Sequence, residues 1–240
     1  MRKDEGELTL SLKADPEPHG QEAPLAARST RPRIRLMVVD DHPAVRMGLV
    51  QLLEAQPDFD LRAVCINAEA AIAQTTAHDI DVAVVDYQLP GRNGLWICRR
   101  LKRLAHPPAV VVFSAFADHR LAACCAVAQA DAVLNKGVLG SELCNAIRSG
   151  ARGRRLLPKV PRPLADTLRA RLAEPEQLLF GMMLAAIPRE EIRRALHISE
   201  HELDARAEAM LRTLEALPGE AAHTGRRRGG LDLDRTVSAR

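Results

Sequence analysis

Aromatic residues make up only 2% of this 240-residue chain, so its 47% apolar share is carried by aliphatic side chains and alanine. An apolar share near half excludes wholesale disorder. No apolar run approaches the roughly 20 residues of a membrane span. The longest, Leu178 to Ile187, is half that length and predicts a core helix. The N-terminus is charged from Arg2 onward and has no apolar core segment, which argues against a secretory signal. The five cysteines are odd in number and show no paired spacing and no CxxC, which excludes a disulfide framework and a zinc site. Four of them sit in apolar patterns and predict small buried hydrophobes, and the default compartment is the reducing cytoplasm. No GxGxxG follows the first predicted strand, so a dinucleotide fold lacks its phosphate turn. No GxSxG elbow is present, so a hydrolase triad has no support. Lysine is scarce as well, at five of 34 basic residues, so Lys136 at a predicted strand end stands out.

What is present divides the chain into segments. Residues 1–33 are polar, with four prolines and balanced charge, and predict a disordered arm. From Ile34 short β-rich runs alternate with helical patterns. The strands are predicted at Ile34 to Val39, Leu61 to Cys65, Val82 to Val85, Ala109 to Phe113 and Ala132 to Leu134, with helices over roughly 44–56, 68–77, 94–104, 118–129 and 141–149. The first, third and fourth strands are nearly continuous apolar runs, as in a sheet covered on both faces. The fold class predicted for 34–150 is therefore α/β, a doubly wound five-stranded parallel sheet.

Residues 151–164 form a predicted basic linker, with Arg152, Arg154, Arg155, Lys159 and Arg162 among prolines. Residues 165–220 read as a small all-α domain. One helix face is predicted from Leu172 to Ala186 and a second helix from Arg189 to Leu196. A third is opened by Ser199, with Glu202 three residues on as a capping box, and runs to about Leu217. Residues 221–240, with Arg226, Arg227 and Arg228, read as a disordered basic tail. The net charge of +3 is a sum over unlike parts: residues 165–220 carry seven basic against eleven acidic residues, a net of −4, so linker and tail supply the excess of base.

Parallel topology brings polar residues from distant segments to one sheet edge. Strand 1 ends in Asp40 and Asp41, strand 3 in Asp86, strand 4 in Ser114, and Lys136 follows strand 5. Three crowded carboxylates repel, and a divalent cation with oxygen ligands, Mg2+, is the simplest remedy. With a hydroxyl and an ammonium beside them, such a pocket fits a phosphoryl group attached to a carboxylate. His42 follows the two aspartates at a predicted helix start and is expected to face solvent.

The stretches VVDDHPAVRMGL, VVDYQLPGRNGL, VVFSAF and AVLNKG resemble the receiver domain of two-component response regulators, most closely the NarL/FixJ group, over about residues 34–150. The resemblance implies that Asp86 accepts a phosphoryl group from a histidine kinase. It implies Mg2+ held by Asp40, Asp41, Asp86 and the backbone carbonyl of Gln88, with Ser114 bonding a phosphoryl oxygen and Lys136 pairing with it. It implies a protein that is no enzyme beyond slow self-dephosphorylation, and a homodimer. Val133 stands where the family usually has Tyr or Phe.

The anchors Leu172, Glu176, Leu179, Ile192, Leu196, Ile198, Ser199 and Leu203 resemble a LuxR-type helix-turn-helix, whose third helix would enter the major groove. Glu202-Leu203-Asp204 stands where that family has Thr-Val-Lys, and an acidic reading helix works against phosphate contact. Arg193 and Arg194 are the candidate DNA contacts. Two outputs stay open: a transcriptional regulator that binds DNA, and a phosphorylation-controlled protein-interaction regulator that has lost DNA binding.

Overall fold

The central strands of the sheet alternate between two buried faces. In β1 (Ile34–Val39), Leu36 and Val38 point into one core while Met37 and Val39 point into the other. The same division runs through β3 (Val82–Asp86) and β4 (Ala109–Ser114). With β2 (Phe59–Cys65) and β5 (Ala132–Asn135) they make one parallel sheet in the order β2-β1-β3-β4-β5. This computed structural model describes residues 32–138 and 140–217, and of Thr76 the backbone alone. Of the arm expected over residues 1–33, residues 1–31 lie outside the described residues, as does the tail expected over 221–240.

Apolar side chains from two helices cover one face: Leu49 and Leu53 of α1 (Pro43–Glu54), and Leu143, Cys144 and Ile147 of α5 (Gly140–Gly150). The other face is covered by α2 (Ala68–Ala77), α3 (Gly94–Leu101) and α4 (His119–Ala128). Short polar side chains start these helices where a strand ends. Asn67, Asn93 and Asp118 accept from the backbone N–H groups of Ala70, Trp96 and Leu121, each closing one of the four open donors of a helix start. The doubly wound sheet expected from the sequence is thus borne out. All five cysteines are free and buried, and burial pushes the Cys124 thiol up to about 12.

The strand order reverses between β1 and β3, and the carboxyl ends of those two strands carry Asp40, Asp41 and Asp86. A doubly wound sheet opens a crevice at this switch point, because the crossovers leave in opposite directions.

Beyond β5 and α5 the chain is helical: α6 (Arg162–Arg169), α7 (Glu174–Leu184), α8 (Arg189–Leu196) and α9 (Glu200–Ala216). The linker expected to reach residue 164 stops at Pro161. Pro163 at the start of α6 needs no donor there and presets helical φ, so the proline that looked like linker opens a helix. The helix expected from Leu172 is shorter at both ends. Leu172 lies in the turn before α7, and Ala186 beyond it has a left-handed φ of 56°. The turn at His197 to Ser199 is as expected, and the Ser199 hydroxyl accepts from the N–H of Glu202. Leu168, Leu179, Phe180, Ile192, Leu203 and Leu214 form this segment's core, continuous with the apolar face of α3 and α4. α9 packs against α4 and α7.

Candidate functional site

Lys136 reaches back from the turn after β5 and places its ammonium 2.8 Å from Asp40 Oδ2 and 2.8 Å from Asp86 Oδ2. Both carboxylates are buried. Each also accepts a backbone N–H two residues on, Asp40 Oδ1 from His42 at 2.8 Å and Asp86 Oδ1 from Gln88 at 3.1 Å. Burial pushes the Asp86 carboxyl above the ordinary carboxylate range, and Lys136 works against that shift. Burial also disfavours the Lys136 ammonium, but its hydrogen bonds to Asp40 and Asp86 prevail and hold its pKa above the usual lysine value.

Asp41 is half-exposed beside them, with Oδ1 2.9 Å from His42 Nδ1. His42 faces solvent as expected, yet it also borders the acidic cluster, since its ring nitrogen lies 3.7 Å from Asp40 and 3.9 Å from Asp86. One ligand atom from each of Asp40, Asp41, His42 and Asp86 can be chosen so that all lie within 4.8 Å of one another. Asp41 Oδ1 and Asp86 Oδ2 are buried, and their close polar neighbours are His42 Nδ1 and the Lys136 ammonium. Oxygens of this kind suit a hard cation such as Mg2+, which takes oxygen ligands and keeps open positions.

Ser114 is buried at the end of β4, where its neighbour Phe113 is in register with Asp86. The hydroxyl accepts from the N–H of Phe116, and the carbonyl accepts from the N–H of Lys136 at 2.7 Å. The structure therefore brings Asp40, Asp41, Asp86 and Lys136 into contact as one cluster, with Ser114 one strand away. Val133 is buried in β5. Sequence reasoning missed Arg46, whose guanidinium donates to the carbonyl of Asp40 at 2.9 Å. Its place four residues past His42, on the first turn of α1, was the available signal.

A second polar cluster lies at the seam between the sheet unit and α9, and sequence reasoning missed it altogether. Asp204 is buried there among three guanidiniums: Arg103 Nε at 2.9 Å, Arg189 Nη2 at 3.0 Å and Arg99 Nη2 at 3.7 Å. Arg99 also donates to the carbonyl of Asp204 at 2.5 Å. Further along α9, Glu215 Oε1 accepts from Asn93 Nδ2 at 2.6 Å and from the Tyr87 hydroxyl at 3.4 Å. Arg120 of α4 donates to the carbonyls of Leu214 and Glu215. The signal was the acid surplus of α9 set against the arginines of α3. Arg193 and Arg194 stand on α8 and are tied to acids of their own segment. Arg193 pairs with Glu190 at 2.9 Å and Glu200 at 3.4 Å, and Arg194 with Glu190 at 3.7 Å.

Residues 36–148 match the family model of the response regulator receiver domain. The chain is 28% identical over 177 residues to the DNA-binding transcriptional activator DevR/DosR of Mycobacterium tuberculosis, covering 70% of this chain and 82% of that protein. It is 28% identical over 192 residues to the nitrate/nitrite response regulator protein NarL of Escherichia coli, covering 75% and 88%. A crystal structure of a LuxR-family two-component response regulator from Aurantimonas sp. SI85-9A1 superposes with a TM-score of 0.51 at 28% identity, over 56% of this chain and 97% of that one. Among the described residues no helix is long and apolar enough to cross a membrane. Residues 36–148 thus belong to the response regulator receiver domain family.

Proposed function

We propose that this chain is a response regulator that is phosphorylated on Asp86 and regulates transcription through its helical C-terminal segment. The observation that carries the reading is the convergence of Asp40, Asp41, Asp86 and Lys136, with Ser114 adjacent, from four separate strand ends. The phosphodonor is a histidine kinase phosphohistidine or a small acyl phosphate. With acetyl phosphate, a bond forms between phosphorus and an Asp86 carboxylate oxygen while the bond to acetate breaks and acetate leaves. A carboxylate is a poor nucleophile toward an anion, and Lys136 lowers that repulsion by holding positive charge 2.8 Å from the attacking group. Asp40, Asp41, Asp86 and the backbone carbonyl of Gln88 would hold Mg2+, which when bound neutralises phosphoryl oxygens. The Ser114 hydroxyl supplies a neutral donor to the phosphoryl group. The protein acts as acceptor and switch in the cytoplasm, with a homodimer as its active assembly.

The experiment is a Phos-tag gel of the full chain with acetyl phosphate and Mg2+. A retarded band in the wild type that vanishes in Asp86→Ala and on chelation supports the reading. No retarded band, or one that persists in Asp86→Ala, sinks it.

A second reading for the output is favoured by the charge of α9. Its most exposed charged positions are Glu200, Glu208 and Arg212, two acids to one base, and DNA affinity rests largely on neutralising phosphates. On this reading the helical segment binds protein instead. Fluorescence anisotropy on promoter DNA separates the two, since only the first predicts affinity that falls steeply with salt.

A further inference from the structure

A cleft of about 390 Å3 lies where α3 faces α9, and its lining includes none of Asp40, Asp41, Asp86 or Lys136. Five guanidiniums line it, those of Arg92, Arg99, Arg100, Arg103 and Arg212, against two carboxylates, Glu208 and Glu215. Part of this charge is matched within the cleft. Arg212 lies 3.6 Å from Glu208, and Glu215 is taken up by Asn93 and Tyr87. Arg99 and Arg103 have one carboxylate at ion-pair distance between them, that of Asp204, which Arg189 also approaches. Among the described residues the Nη1 of Arg99 is buried with no hydrogen bond. Arg92 and Arg100 are exposed and, among the described residues, pair with no acid. Their guanidiniums lie instead over the Trp96 ring, 5.3 and 5.7 Å from its centroid. Trp96 and Arg100 stand one turn apart on α3, and Arg92 reaches the ring from the loop before it. Contact with an aromatic face orients a cation without neutralising it.

The geometry points to a binding site for a nucleoside polyphosphate, with the base against Trp96 and the phosphates on the arginines beside it. An excess of guanidinium in a concave site suits an anion, and the planar fork of arginine matches phosphate oxygens two at a time. The aromatic narrows the class. A base stacks on an indole more strongly than an exposed guanidinium does, so it displaces one arginine from Trp96 and frees it for phosphate. The buried Nη1 of Arg99 gains the acceptor it lacks. The volume falls within the range of about 300–1,000 Å3 usual for small-molecule sites. With α3 on one side and α9 on the other, the cleft suits one nucleotide and not a passing strand. The site is separate from the acidic pocket and does not depend on the reading of Asp86 as the phosphoacceptor.

Trp96 is the chain's only tryptophan, so its fluorescence reads the site directly. The probe is ATP, titrated into the full chain without Mg2+ and followed by Trp96 fluorescence and by calorimetry. Adenosine and tripolyphosphate, the two halves of the probe, are titrated separately. ATP is expected to quench Trp96 saturably and to bind about tenfold or more tightly than either half, because linked contacts reinforce each other. The double variant Arg92→Ala/Arg100→Ala is expected to lose about tenfold or more in ATP affinity, the loss of a charge-assisted contact. Its melting temperature should match wild type, since neither arginine pairs with an acid. Trp96→Leu, followed by calorimetry alone, should bind ATP no better than tripolyphosphate. If that variant unfolds, the comparison of ATP with tripolyphosphate on wild type carries the point. Asp86→Ala should bind ATP as wild type does. Absence of saturable ATP binding overturns the site, as does an affinity that the double arginine variant leaves unchanged. Tripolyphosphate binding to wild type as tightly as ATP overturns the nucleotide in favour of a bare anion.

Discussion

Asp204 Oδ2 lies 2.9 Å from Arg103 Nε, so an acid at the position where a helix-turn-helix of the LuxR type usually has a base is a clasp to the receiver. Part of the acidity of α9 is thereby explained by its neighbour α3. Asp204 also faces Arg99 and Arg189, and burial holds the Arg99 pKa below the usual arginine value against the opposing pull of Asp204. Asp204→Ala leaves these guanidiniums without their shared carboxylate. Breaking one side of a buried pair is costly, and here partial exposure of Arg103 and Arg189 tempers the loss to about 3 kcal/mol. Asp204→Asn keeps the shape and an acceptor and loses less. Urea denaturation of the two variants beside wild type checks the order, and a loss below that of a surface ion pair would show the clasp to be ornamental.

Gly94 supports the site by having no side chain. Alanine there would drive its Cβ to 2.3 Å from the Asp86 carbonyl oxygen, and backbone cannot step aside as a side-chain tip can. Overpacking of this kind costs about 2 kcal/mol. The expected outcome for Gly94→Ala is lower stability and slower phosphorylation with acetyl phosphate, since the loop carrying Asp86 must open. Gly181, inside α7, has nothing within 4 Å of an added Cβ. Gly181→Ala is therefore expected to stabilise by about 0.5–1 kcal/mol, the helix-interior difference between the two residues. A melt of both variants shows opposite shifts if the local space decides the sign.

Much of the receiver was legible because its signals are local. Valine-rich apolar runs in β3 and β4 mark strands covered on both faces, and each short polar cap marks a helix start. The cluster of Asp40, Asp41, Asp86 and Lys136 followed from topology, since parallel strands must end on one edge. Two things were illegible. The start of α6 was hidden by Pro161 and Pro163, because proline serves both a linker and a first helical turn. The seam was hidden because Asp204 with Arg103, or Glu215 with Asn93, are paired across about a hundred residues by tertiary packing alone. A count of charge could see that α9 was acidic but not which of its acids are buried.

The Arg35–Asp81 pair fastens β1 to the turn before β3, with Oδ1 of Asp81 2.8 Å from the guanidinium and Oδ2 accepting the N–H of Arg35. The hydrogen bond from Arg35 is the main cause that holds the Asp81 carboxyl below the ordinary aspartate range. A lowered carboxyl pKa means that the unfolded chain binds the proton more readily. The pair's contribution is then present above the unfolded aspartate value near pH 4 and is lost as pH falls through the depressed folded value. Because about a third of each side chain meets solvent, that contribution is about 1 kcal/mol. Asp81→Asn should destabilise by that amount at pH 7 and converge with wild type near pH 2. Stability curves that stay parallel down to that pH would remove Asp81 from the acid response.

DNA binding, if direct, has a charge signature that these residues make specific. Each phosphate neutralised in duplex DNA contributes about 0.9 to the slope of log affinity against log salt. Glu208 is exposed on α9 and holds Arg212 at 3.6 Å, so it competes with any phosphate for that arginine. Glu208→Lys should steepen the slope by about one if α9 lies against the backbone. Arg194 is exposed on α8 and, among the described residues, is held by Glu190 alone, which makes it the freer of the two arginines for DNA. Arg194→Ala should flatten the slope by about one, whereas Arg193→Ala, with Glu190 and Glu200 both lost as partners, should cost stability as well. Anisotropy titrations of the full chain across a salt series read all three. If the Glu208 and Arg194 variants keep the wild-type slope, the helical segment does not touch the phosphates, and its partner is a protein surface.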